Sequence, residues 1–210
     1  MKLEFLKWFE ELGFLKNLSV SRYIHPASSD QHVISVHTFC DVSQFANAAA
    51  VFVRIECADA VQVNILAFKS KVSPVKTINI PRLELWNATV GARLCRSVLS
   101  ALQWNIVKQH YWTDSTTVLG WIQRKKLWTV FINNRLQEIR KLADQTLWKH
   151  LPVTQNSADL PLRECSPHQL ICSRWWEGPK WLLQTQGNRP FTKPVFVEQS
   201  DLKERQLSHV

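Results

Sequence analysis

Two stretches decide the fold: His32–Asp41, HVISVHTFCD, and Asn105–Asp114, NIVKQHYWTD. Each runs through β-prone residues and stops on an aspartate. In the first, Val33, Ser35, His37 and Phe39 alternate with Ile34, Val36, Thr38 and Cys40. Both sets favour extended backbone, so the spacing predicts a strand buried on both faces in its middle. Hydroxyl side chains follow each aspartate closely: Ser43 after Asp41, and Ser115 and Thr116 after Asp114.

Working outward, AAAVFVRIEC (48–57) and VQVNILAFKSKV (61–72) read as two more strands. Short turns join them to the first, which predicts an antiparallel meander. Pro81 stands where a helix would begin. RLELWNATVGARLCRSVLSAL (82–102) then places Leu83, Trp86, Val90, Leu94, Val98 and Leu102 at helical spacing. A second stripe, Glu84, Ala88, Gly91 and Cys95, is small-residue and begins with a carboxylate. Glycine costs about 1 kcal/mol against alanine in a helix, so Gly91 predicts a close helix–sheet approach. Ser115 can cap a helix over 115–126, and 128–143 reads as another helix. LWKHLP (147–152) is a short fifth strand, and NSADLPLRE (156–164) a loop or short helix. The order β-β-β-α-β-α-α-β-α predicts an α/β fold, a five-stranded mixed sheet flanked by helices.

Either side of this unit the composition changes. The opening residues show helical spacing interrupted at Gly13, and a polar linker, SVSRYIHPASSD (19–30), follows with Pro26, Ser28, Ser29 and Asp30. From Gly178 onward the chain turns polar, with Pro190 and Pro194. Three regions are therefore expected: 1–30, 31–177 and a tail over 178–210.

The 210 residues are 45% hydrophobic and 20% charged, which suits a folded domain rather than wholesale disorder. Mean hydropathy is −0.17, no apolar run reaches the roughly 18 residues of a membrane span, and the opening lacks a secretory pattern. No membrane association is expected. The formal net charge is +9 and the pI about 9.5, which points to a polyanionic partner. Five cysteines without CxxC spacing predict a reducing, intracellular setting rather than a disulfide framework. Cys165, His168 and Cys172 have zinc-ligand types but no partner cluster. The ten tryptophans read mainly as packing groups.

The acids carry the chemistry. Asp41 and Asp114 meet if their strands are neighbours. Glu84 is expected in the first turn of the long helix, facing the sheet, and Asp159 follows the fifth strand. Four carboxylates at one sheet edge would repel unless cations sat among them. Two divalent ions about 3.5–4 Å apart clamping a phosphodiester is an established use of such a set. Singly, each acid has a plainer role: Asp114 or Asp159 as a helix cap, Glu84 as a partner of the helix dipole.

Four blocks, CDVSQFANAAAVF, AFKSKVSPVKTINIPRLEL, YWTDSTTVLGWI and WKHLPVTQNSADLPLRECSP, together resemble the ribonuclease H region of BEL/Pao-type LTR retrotransposon polyproteins. The resemblance runs from about His32 to Trp181, and residues 1–30 look like the tail of a reverse transcriptase connection. It implies a ribonuclease H-like fold and an Asp-Glu-Asp-Asp metal site of Asp41, Glu84, Asp114 and Asp159. It implies two Mg²⁺ ions, with Mn²⁺ as a substitute, and no small-molecule cofactor. The implied reaction is cleavage of the RNA strand of an RNA–DNA hybrid, leaving 3′-hydroxyl and 5′-phosphate ends. The implied partners are the hybrid and the reverse transcriptase and integrase regions of a parent polyprotein. The implied location is the cytoplasm, retroelement particles or the nucleus. Ala48 stands where relatives usually carry Gly, and Ser157 and Leu162 replace Pro and Ser around Asp159. Those departures leave an alternative open: a catalytically silent nucleic-acid-binding relic.

A hybrid needs phosphate contacts on both strands. Lys69, Lys71, Lys76 and Arg82 precede or open the long helix and are expected near the RNA strand. Arg124, Lys125, Lys126, Arg135, Arg140 and Lys141, with Trp121 and Trp128 among them, are expected near the DNA strand. Ser43, Gln44 and Asn87 are candidates for 2′-hydroxyl contacts, and His150 and His168 for assisting product release.

Overall fold

The computed structural model describes residues 2–20, 32–58, 60–73, 79–124, 126, 128–163 and 165–184. Five strands form one sheet: β1 (Val33–Val42), β2 (Ala46–Glu56), β3 (Val61–Val72), β4 (Lys108–Thr113) and β5 (Trp148–His150). The order is β3-β2-β1-β4-β5. β1, β2 and β3 pair antiparallel, whereas β4 runs parallel to both β1 and β5. This is the mixed five-stranded sheet expected from the sequence.

The helices are α1 (Lys2–Glu11), α2 (Ile80–Ala101), α3 (Thr116–Gln123), α4 (Val130–Leu142) and α5 (Pro167–Ser173). Asn79 caps α2 by accepting from the Arg82 amide at 3.1 Å, and Pro81 sits in its first turn. None of these helices is long and apolar enough to cross a membrane.

Alternation along the central strands produces two cores. Val36, Cys40, Ala49 and Val51 pack with α2, α3 and α4. Phe39, Ala48, Ala50 and Phe52 face the other way, against Trp112, Leu151, Ala158, Trp181 and Leu182. The first layer is tight where α2 crosses β1. A Cβ on Gly91 would stand 2.3 Å from Cys40 Sγ and 3.3 Å from Thr38 Cγ2. The stripe of small residues therefore lets α2 settle onto the sheet.

Several boundaries differ from expectation. β4 begins three residues later than the pattern suggests. Gln103 adopts φ 56, turning the chain out of α2, and Ile106 is 99% exposed, so Asn105–Val107 belong to a turn. Gly13 does not end the first helix outright; after α1 the chain continues as a 3-10 turn over Leu12–Asn17. The linker at 21–31 and the tail beyond 184 lie outside the described residues.

The expected tail boundary at 177 falls inside packed structure. Residues 180–183 form a 3-10 turn whose Trp181 and Leu182 are buried in the second core. Arg54, 1% exposed on β2, donates to Leu182 O at 2.7 Å and Gln184 O at 3.2 Å, and pairs with Glu56. The chain beyond Gly178 reads as polar because of its later residues, but Trp181 and Leu182 pack in the second core and the Leu182 and Gln184 carbonyls take the Arg54 bonds.

Candidate active site

The parallel register Cys40↔Thr113 brings the ends of β1 and β4 side by side, so Asp41 and Asp114 emerge together. Asp41 is 7% exposed, and its Oδ1 accepts from the Val42 amide at 2.7 Å. Asp114 follows β4 directly. Its carbonyl accepts from His150 Nε2 at 3.1 Å, which ties it to β5. Glu84 projects from α2 into the same cleft, lined by Cys40, Asp41, Val42, Glu84, Asn87, Thr113 and Asp114.

Ser115 organises two elements at once. Its Oγ accepts from the Val118 amide at 3.2 Å, capping α3, and donates to Glu84 Oε2 at 2.6 Å. Asp114 is therefore not the cap of α3. Glu84 lies beyond the first turn of α2, so the helix dipole does not account for it. Asp159 precedes a 3-10 turn (Leu160–Leu162) but makes no side-chain capping bond. The plainer roles left open by the sequence do not describe these acids.

Burial sets the electrostatics. Asp41 is pushed up to about 7, first by loss of water and then by the neighbouring Asp114 carboxylate, with smaller pushes from Asp159 and Glu84. Glu84 and Asp114 are also raised, again chiefly by burial, with Ser115 opposing the shift at Glu84 and His150 opposing it at Asp114. Desolvation thus outweighs mutual repulsion at all three.

Asp159 stands apart from the cleft-lining residues, although its charge reaches both Asp41 and Asp114. Arg163 Nε lies 2.8 and 2.7 Å from its two carboxylate oxygens. Among the described residues, no group of three acids, histidines or cysteines is already arranged to hold a metal ion. The donor set still suits Mg²⁺, which prefers oxygen ligands and is usually held by one or two carboxylates, waters and substrate phosphate. Asp41, Glu84 and Asp114 supply such oxygens in one cleft.

The expected nucleic-acid contacts separate into three groups. Lys69 and Lys71 are exposed on β3. Lys69 pairs with Ala49, whose Cβ faces the Gly91 position, so Lys69 shares the α2 face of the sheet. Arg82 and Arg135, expected on different strands of a hybrid, converge on one ring: their guanidinium carbons lie 5.6 and 4.7 Å from the Phe131 centroid. Arg124 ends α3 and Lys126 is half-buried beyond it, while Lys76 and Lys125 lie outside the described residues.

Asn87 is a correction. It is 1% exposed and donates through Nδ2 to Asp41 O and Ala48 O, both at 2.7 Å, so it cannot reach a 2′-hydroxyl. Asn87 ties the β1–β2 hairpin to α2 instead. Ser43 is occupied in the β1–β2 turn, accepting from the Phe45 and Ala46 amides and donating to Ala46 O. Gln44 beside it is exposed. Arg140 also turns inward, its Nη2 donating to the Trp121, Ile122 and Arg124 carbonyls at the end of α3. His168 lies on α5 against Phe14.

Three contributors escaped the sequence reading: Ser115 as the partner of Glu84, Arg163 as the partner of Asp159, and Asn156, which donates to Cys40 O at 3.0 Å. The i,i+4 spacing of Asp159 and Arg163 was the one available signal.

A family model described as "Pao retrotransposon-like RNaseH-like domain" matches residues 1–115. No curated protein matches the chain. Among solved structures, the chain is similar to the N-terminal RNase H domain of rv2228c from Mycobacterium tuberculosis, solved as a fusion with maltose binding protein. That match has 14% identity and a TM-score of 0.41, and covers 67% of this chain and 96% of that one. LC11-RNase H1, solved in complex with an RNA/DNA hybrid, matches at 14% identity and TM-score 0.38, over 59% of this chain and 88% of that one. RNase H1 from Halobacterium salinarum NRC-1 matches at 14% identity and TM-score 0.36, over 66% and 98%.

Proposed function

Since the chain belongs to the Pao retrotransposon-like RNaseH-like domain family, we propose that it is a metal-dependent endonuclease acting on the RNA strand of RNA–DNA hybrids. The observation that carries this is the shared cleft: Asp41, Glu84 and Asp114, from two strand ends and a helix, line one narrow opening. When bound there, a pair of Mg²⁺ or Mn²⁺ ions supplies Lewis-acid stabilisation for in-line displacement at phosphorus.

The residues of the chain have separate tasks in this scheme. Asp41 and Asp114 hold the cations from adjoining strand ends. Ser115 fixes the direction of Glu84 by donating to one carboxylate oxygen. Asp159, which pairs with Arg163 in this structure, would be the fourth ligand. Asp41, raised to about 7 chiefly by burial, would hold a cation in its ionised form, so affinity would rise with pH. Lys69, Lys71, Arg82 and Arg135 contact phosphates and position the duplex without reading its sequence. Residues 1–30 belong to a reverse transcriptase connection in this scheme, and the chain works inside an intracellular polyprotein that also holds polymerase and integrase regions.

Incubating the full chain with a labelled hybrid and Mg²⁺ or Mn²⁺ tests the proposal. Cleavage confined to the RNA strand, abolished by chelation, is expected; a folded chain that binds hybrid but leaves it intact with either ion refutes it. That outcome would favour the second reading, a silent hybrid-binding domain. The Arg163–Asp159 pair supports that reading, because it neutralises one acid without a metal.

A further inference from the structure

We propose that the C-terminal tryptophan segment, residues 174–184, positions Asp159 for cation binding, with Trp175 and Trp181 as positioning residues. This rests on the metal-dependent function proposed above. Asp159 lies on neither a strand nor an α-helix. It sits between two 3-10 turns, Val153–Gln155 and Leu160–Leu162. Arg163 holds its carboxylate locally, but the place of the loop itself relative to the sheet depends on anchors from outside.

The anchors fall on consecutive residues. Trp181 Nε1 donates to Gln155 O at 3.3 Å, Asn156 Nδ2 donates to Cys40 O at 3.0 Å, and Trp175 Nε1 donates to Ser157 O at 2.6 Å. The middle anchor ties the loop to β1 next to Asp41. The outer two come from the tryptophan segment.

Both indoles are themselves held by the sheet. Trp181 packs edge-on against Trp112 at 5.1 Å and Phe39 at 5.9 Å. Trp175 meets Phe68 at 5.0 Å and Phe52 at 6.1 Å in the same manner. Between the two tryptophans, Gly178 takes φ +74, and a Cβ there would stand 2.8 Å from Val63 Cγ1. The segment can therefore turn close against β3. The bonds of Arg54 to Leu182 O and Gln184 O fix its end. The sheet thus aims two N–H groups at the loop that carries Asp159. Groups that orient metal ligands from behind typically change metal affinity 10–100-fold when lost.

The test uses the full chain with Trp175→Phe and Trp181→Phe, which keep a ring in place and delete the N–H donor. Trp104→Phe, whose indole takes no part in these anchors, is the control. Mn²⁺ alone is titrated and free ion followed by electron paramagnetic resonance; amide exchange of residues 156–160 is read in parallel. Trp175→Phe is expected to weaken Mn²⁺ binding about 10-fold and to speed exchange in that loop, with Trp104→Phe unchanged. For hybrid cleavage, the Mg²⁺ concentration at half-maximal rate should rise by a similar factor while KM for hybrid holds. Unchanged Mn²⁺ affinity in both anchor variants, or a loss no greater than their unfolded fraction explains, overturns the proposal. A parent that binds Mn²⁺ yet cleaves no hybrid defeats the endonuclease function, while the Mn²⁺ comparison still decides the role of the tryptophans. A parent that binds no Mn²⁺ overturns both.

Discussion

Asp41 keeps its proton up to about pH 7 because it is buried beside Asp114 at a strand end. An unfolded aspartate loses that proton near 3.8. Between these values the folded chain binds the proton more tightly than the unfolded chain does. The resulting stabilisation is full below about pH 4 and is lost as pH rises through about 7. Glu84 and Asp114 are shifted in the same direction. In chelator, the parent should therefore lose on the order of 4 kcal/mol between pH 4 and 8, and Asp41→Asn should flatten the slope. Urea midpoints across that range decide the matter; parallel slopes for parent and variant would show that Asp41 does not control it. Asp114→Asn tests the chemistry instead. It preserves size and removes one charge, so turnover on hybrid should drop by about 10²–10³ while the metal-free fold holds or gains stability. Since Ser115 is the cap of α3, the substitution leaves helix capping intact. Turnover at the parental rate would remove Asp114 from the catalytic set.

The element that places most of the site is α2. It brings Glu84 to the cleft and grips the backbone of Asp41 and Ala48 through Asn87. Its depth is set where Gly91 meets Cys40. Gly91→Ala should lift the helix and cost about 1–3 kcal/mol, with hybrid cleavage falling as Glu84 moves. Adding Cys40→Ala removes the obstructing sulfur, so a double-mutant cycle should show strong favourable coupling. Additive losses in thermal midpoint would mean that the contact does not set the depth. This close approach was legible beforehand, because a glycine in a strong helix needs a reason. The sequential order of the elements was also legible, whereas the sequence left the meeting of Asp41 with Asp114 conditional on their strands being neighbours, a pairing that depends on contacts distant in sequence. What stayed hidden depends on direction. Asn87 and Arg140 are polar side chains turned inward, and sequence cannot distinguish them from surface residues until their carbonyl partners are known. Asn105–Val107 mimicked a strand start because Ile106 is β-prone, yet it stands in water. The position of Asp159 depends on anchors distant in sequence, which local patterns do not report.

For the molecule as a whole, the folded unit runs to at least residue 184. A chain ending at 177 would lose Trp181 and Leu182 from the second core and take from Arg54 its Leu182 and Gln184 carbonyl acceptors. Leaving donors of a buried guanidinium without acceptors costs about 1–3 kcal/mol each before the lost apolar contacts are counted. Residues 1–184 should therefore melt cooperatively near the full-length midpoint, whereas 1–177 should melt far lower or without a sharp transition. Calorimetry of the two fragments checks this, and equal midpoints would restore the boundary at 177. The same bond has a consequence in time. Arg54 and Leu182 are 128 positions apart, and translation at about 5–20 residues per second separates them by roughly 6–26 seconds. Throughout that interval the nascent sheet holds a guanidinium without its carbonyl acceptors. The central strands are therefore made early but cannot close over their own cation until residues 182–184 arrive.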